Sequence, residues 1–154
     1  AKMVKGAGKV YAGSKIKMAS AVDFSTKKLF KVKVWSPVAG KKLLLKFEGA
    51  GAAFEKESVG VTTASAWQEL SFDFTGVANV NNSNDTAVFI FDLGTAGDGS
   101  CILYTSDAAD VEATVEVVGS APTHPLNFES TTTASTFVDF DGGAVTKIAN
   151  PDQT

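Results

Sequence analysis

Apolar and polar positions alternate with a period of two along most of this chain, the pattern of strands that bury one face. Across residues 28–36 (KLFKVKVWS), Phe30, Val32 and Val34 point one way, while Lys31, Lys33 and Trp35 point the other. Across residues 67–75 (WQELSFDFT), Leu70, Phe72 and Phe74 form the apolar set and Glu69, Ser71 and Asp73 face away. Val111, Ala113, Val115 and Val117 alternate in the same manner against Glu112, Thr114 and Glu116. Residues 42–48 and 86–93 are more continuously apolar, as expected of central strands covered on both faces. The predicted core is therefore Phe30, Val32, Val34, Leu70, Phe72, Phe74, Phe89 and Phe91.

Turn residues punctuate this pattern, as in residues 79–85 (NVNNSND). Residues 137–140, then Asp141-Gly142-Gly143, then residues 144–148 read as a hairpin, because Asp-Gly and Gly-Gly tolerate the positive φ of tight turns. About ten or eleven short strands at this spacing predict an all-β chain: a two-sheet antiparallel β-sandwich of jelly-roll or galactose-binding-like type. No helix longer than a turn or two is expected. The 154 residues suffice for one domain with a good core. Residues 1–118 read as the sandwich body and residues 119–125 (GSAPTHP) as a linker. Residues 126–154 read as opening strands that complete the same sandwich or a neighbouring copy.

Composition narrows the function classes. No apolar run approaches twenty residues, so no helix spans a membrane. The single Cys101 excludes an internal disulfide. All fourteen basic residues are Lys, and thirteen lie at or before Lys56, opposed there only by Asp23, Glu48 and Glu55. From Glu57 onward fourteen acids meet only Lys147, so the two parts carry +10 and −13. The lack of Arg argues against nucleic-acid recognition, where the bidentate guanidinium fork is favoured. The layout reads as a solvated Lys-rich face, or as a basic patch that meets an acidic patch on a neighbouring copy.

Several motifs carry a resemblance: Phe128-Glu129-Ser130, residues 139–143 (DFDGG), residues 1–5 (AKMVK), residues 23–27 (DFSTK), residues 67–74 (WQELSFDF) and residues 91–100 (FDLGTAGDGS). Together they resemble a carbohydrate-binding-like, non-catalytic β-sandwich module of extracellular marine Bacteroidetes proteins, found on polysaccharide-degrading enzymes and large surface proteins. In that module the F-E-S strand and the D-F-D-G-G hairpin come first, so the pieces stand here in circularly rotated order. One stretch departs from the family. Where an aromatic strand ending in paired Asp is expected, the chain has CILYTSDAAD (residues 101–110), which resembles the translation of a transposon-type sequencing adaptor. Read as ordinary sequence, it gives a strand over residues 102–105 and then a turn.

Catalytic chemistry finds little material. The one histidine, His124, sits in the linker between Thr123 and Pro125, where a general base is poorly held. Neither a phosphate loop, a zinc spacing nor a nucleophile elbow occurs, and no enzyme activity is expected. The resemblance implies a structural calcium ion with Glu129 as a ligand. Asp107 or Asp110 would stand in for the missing paired Asp, since Ca2+ takes six to eight oxygens. It also implies glycan binding on aromatic platforms. Trp35 leads, because alternation sets it opposite the core face; it serves either as a platform or as cover for a second packed surface or a neighbouring subunit. Tyr11 and Trp67 follow, with Trp67 expected at the edge of the core.

Two functions remain in play. The first is a structural or adhesive module in a head-to-tail extracellular array, filament or tandem repeat, assembled by strand addition or covalent repetition. The second is a carbohydrate-binding module of a secreted polysaccharide-degrading enzyme. The segment 126–148 is expected to add strands to the sandwich, with a neighbouring copy favoured as recipient. A seven-residue linker reaches roughly 20–25 Å at about 3.3–3.6 Å per residue, enough for either path.

Overall fold

Strands dominate the computed structural model of the chain, which describes residues 2–98, 102–105 and 137–146. They are β1 (Lys2–Lys5), β2 (Gly13–Lys17), β3 (Leu29–Ser36), β4 (Leu43–Gly49), β5 (Phe54–Glu57), β6 (Ala66–Asp73), β7 (Asn84–Phe91), β8 (Ile102–Thr105), β9 (Phe137–Phe140) and β10 (Gly143–Thr146). They form two five-stranded sheets, in the orders β10-β1-β8-β3-β6 and β5-β4-β7-β2-β9. All strand pairings are antiparallel, and the described residues contain no helix. The all-β expectation holds, and the arrangement is consistent with a β-sandwich. The strand expected over 111–117, the linker 119–125 and the strand beginning at Phe128 lie outside the described residues.

Both sheets feed one core. Met3, Phe30, Val34, Leu70 and Phe72 come from the first; Ile16, Leu43, Leu45, Phe47, Phe54, Ala87 and Phe91 come from the second. Of the predicted core, Phe30, Val34, Leu70, Phe72, Phe74 and Phe91 are buried, whereas Val32 and Phe89 pack partly buried against it. At its centre Phe24, Phe30, Phe47, Phe54 and Phe74 meet at centroid separations of 4.8–5.8 Å, mostly tilted or edge-on, the geometry that aromatic quadrupoles favour. Phe24 belongs to no strand. A turn built on Asp23, whose carboxylate accepts from Ser25 and Thr26, turns it into the core, and its amide donates to Asn82 Oδ1.

Strands β4 and β7 are central and apolar on both faces, as their sequences predict. Leu43, Leu45 and Phe47 join the main core, while Leu44, Val88 and Ile90 form a second buried cluster with Leu93 and Phe140. The turn expected over 79–85 ends earlier, since Asn84 opens β7. Asn84 is fully buried because it bridges a register shift at Glu48/Gly49: its Nδ2 donates to the Phe47 and Ala52 carbonyls and its Oδ1 accepts from the Gly51 amide.

The predicted hairpin has a different form from the expected one. The tight turn is present, with φ of +53° at Asp141 and +86° at Gly142. Its two strands, however, belong to different sheets: β9 pairs with β2 and β10 with β1 of the same chain. The turn thus carries the chain from the edge of one sheet to the edge of the other.

Part of the charge segregation of the sequence is bridged within the described residues. Lysines of the first part of the chain meet carboxylates from segments distant in sequence. Lys9–Asp141, Lys17–Asp85, Lys31–Glu69, Lys41–Asp92 and Lys42–Glu57 pair within the chain.

Candidate functional site

Two places collect the features expected of a site. On the first sheet, alternation about the buried Val34 sends Trp35 to the face opposite the core. Its strand partner on β6 is Trp67, so both indoles lie side by side, each partly buried. Lys33 Nζ stands 6.0 Å from the Trp67 ring centroid, and Lys31 pairs with Glu69 at 3.2 Å. The backbone register also sets position 104 of β8 opposite Trp35 and position 2 of β1 opposite position 104. Trp67 was expected at the core edge, but the register with Trp35 puts it on the outer face. Tyr11 does not join this row; it is 59% exposed on the loop between β1 and β2.

The second place is the groove that receives β9 and β10, which the sequence pattern did not single out. Its walls are the edges of β1 and β2 on which β10 and β9 pair. The Phe140 ring crosses β2 at Gly13 and joins the cluster around Ile90. A Cβ at Gly13 would sit 2.5 Å from the Phe140 ring and 2.6 Å from the Phe89 carbonyl, so only glycine leaves that path open. At the turn, Gly6 N donates to Gly142 O at 2.8 Å, and a Cβ at Gly6 would stand 2.6 Å from that oxygen. Ser14 Oγ donates to Asp139 Oδ1, and Lys9 Nζ lies 3.6 Å from Asp141.

Beside this groove Lys5 is buried to 3% exposure. Its ammonium donates to the carbonyls of Val10 at 3.2 Å, Phe91 at 2.8 Å and Asp92 at 2.8 Å, tying the β1–β2 loop to the end of β7. The signal was visible in Lys2-Met3-Val4-Lys5, where Lys5 is in phase with Met3 and must point inward.

Surface carboxylates are tuned by local bonds. Hydrogen bonds from Ser25 and then Thr26 hold Asp23 below the ordinary carboxylate range, Thr75 does the same for Asp73, and Lys17 followed by Thr86 for Asp85. The Glu57 carboxylate raises Lys42. Among the described residues no three His, Cys, Asp or Glu side chains gather as a metal site. Glu129, Asp107 and Asp110, which the resemblance assigns to calcium, lie outside the described residues, as do His124 and Cys101. No helix of the described residues is long and apolar enough to cross a membrane. Comparison with protein-family models, curated proteins and solved structures gave no match.

Proposed function

We propose that this chain is a non-catalytic, extracellular structural or adhesive module that works in a head-to-tail array, built on a jelly-roll sandwich. The jelly-roll reading draws on strand order: β1-β8-β3-β6 in one sheet and β2-β7-β4-β5 in the other is the order of eight strands wound as two Greek keys, with β9 and β10 added at one side. The observation that carries the array reading is the place of the hairpin. Thr146 is the strand partner of Lys2, so in space the hairpin leads into β1, the order in which the resembling module runs. A hairpin that comes late in the sequence yet leads into β1 by position suits copies laid end to end. Calcium at Glu129 with Asp107 or Asp110 belongs to this reading as the resemblance implies it.

A rotated chain running from residue 125 to 154 and on through residues 1–118 tests it. Cooperative unfolding with a midpoint at or above that of the present order is expected; a rotated chain that fails to fold sinks the reading. Assays for polysaccharide hydrolysis should give no turnover.

The side-by-side indoles of Trp35 and Trp67 favour a second reading, a carbohydrate-binding module of a polysaccharide-degrading enzyme. Affinity electrophoresis through gels containing soluble polysaccharides decides it. Retardation that Trp35→Ala abolishes supports it, and retardation that survives the substitution places the binding face elsewhere.

A further inference from the structure

We propose that the outer face of the first sheet takes an acidic polysaccharide, with Lys33 and Lys2 selecting for its carboxylate or sulfate groups. The inference rests on the carbohydrate-binding reading and names the charge class of the ligand. Strand register lays the face out as a row. Trp67 on β6 is the partner of Trp35 on β3, position 104 of β8 is the next partner of Trp35, and Lys2 on β1 is the partner of position 104. Neighbouring strands lie about 4.8 Å apart, so the row crosses four strands and about 14 Å. Met3 and Lys5 are the buried positions of β1, which leaves Lys2 on the outer face. The alternation of β3 brings Lys33 to the same face, 6.0 Å from the Trp67 ring centroid.

An indole offers apolar area to the C–H side of a pyranose ring while keeping a polar N–H edge. Aromatic area alone does not tell a neutral sugar from a charged one; the lysines do. Lys15, Lys17, Lys31 and Lys46 of the two sheets pair with carboxylates. Lys2 and Lys33 enter no ion pair among the described residues. Glu69 is the strand partner of Lys33, but its carboxylate is held by Lys31 at 3.2 Å. An anionic group arriving at Lys33 therefore gains attraction without breaking an existing pair. One lysine near each end of the row is sparse for a nucleic acid, which carries a charge at every nucleotide. It suits a glycan that offers sugar faces between its acidic groups.

Trp35 and Trp67 are the only tryptophans of the chain, so intrinsic fluorescence reports on this face directly. The full chain is titrated with polygalacturonate, dextran sulfate, hydroxyethylcellulose and a thymidine oligonucleotide. One of the two acidic polymers should bind more tightly than the neutral one, and the tighter of the pair tells carboxylate from sulfate. That binding should weaken with salt. Lys33→Gln should weaken it by about two- to fivefold, the range of a partly exposed charge contact, at an unchanged urea midpoint. Equal binding of hydroxyethylcellulose, or acidic binding indifferent to Lys33→Gln, overturns the charge selection and leaves the carbohydrate-binding reading standing. An oligonucleotide bound as tightly as the acidic polymers overturns it in favour of general polyanion binding. If no polymer alters the fluorescence, the carbohydrate-binding reading of this face falls with the proposal.

Discussion

Lys5 shows how one side chain ties a loop to a sheet. A buried ammonium is costly unless bonded, and three carbonyl oxygens meet this one. Lys5→Met keeps much of the stem's packing but removes the ammonium that the Phe91 and Asp92 carbonyls accept from, while Val10 keeps its bond from the Gly94 amide. The expected loss is about 1–3 kcal/mol of unfolding free energy, read as a lower urea midpoint at unchanged slope. The exposed carboxylates act in the opposite register, through pH. Asp23, Asp73 and Asp85 have depressed values in the folded chain. Their contribution is thus present above the unfolded-state pKa and is lost as pH falls through the folded values. Thermal midpoints should be level at mildly acidic pH and drop below about pH 4, and Asp85→Asn should flatten part of that drop. An unchanged acid limb in the variant would show that the Lys17 and Thr86 bonds carry no stability.

At the scale of elements, the hairpin stands apart from the core strands. β4 and β7 are central and covered on both faces, so their amides should exchange slowest, near the global unfolding rate; β9 and β10 are edge strands and should open first. Phe140→Ala removes the ring that lies over Gly13. It should cost about 2 kcal/mol, less than the ~3–5 kcal/mol of a fully buried Phe, and speed exchange in β9 and β10 before β4 or β7. Uniform acceleration of all strands would mean that the hairpin is part of the main cooperative unit. The strands themselves were legible: Phe30 and Val34 against Lys31 and Lys33, or Leu70 and Phe72 against Glu69 and Ser71, declare a face through side-chain alternation alone. The turn at Asp141-Gly142 was legible for the same local reason. That its two strands join different sheets was not, because a turn signal says where a chain reverses and not which edges receive it. Trp35 and Trp67 were each visible as aromatics, and their adjacency came only with the β3–β6 register.

For the whole molecule, folding pairs charges that lie far apart in sequence. A chain split into +10 and −13 along its length folds with ion pairs between segments distant in sequence, such as Lys17–Asp85, Lys31–Glu69 and Lys41–Asp92. Exposed pairs of this kind contribute little each and weaken with ionic strength. Raising salt from low to molar concentration should lower the urea midpoint modestly, and Lys42→Gln should remove part of that dependence; a midpoint insensitive to salt would show these pairs to be energetically idle. The sequence by itself determined that the chain is all-β, which residues face inward along each strand, and where tight turns fall. These are short-range matters, set by backbone alternation and the φ that each residue tolerates. Only the tertiary structure decided which strands are neighbours, and with that the ion pairs between distant segments, the pairing of the two indoles and the groove that holds the hairpin. Partners in a sheet lie far apart in sequence, and their choice depends on how all the inward faces close over one core.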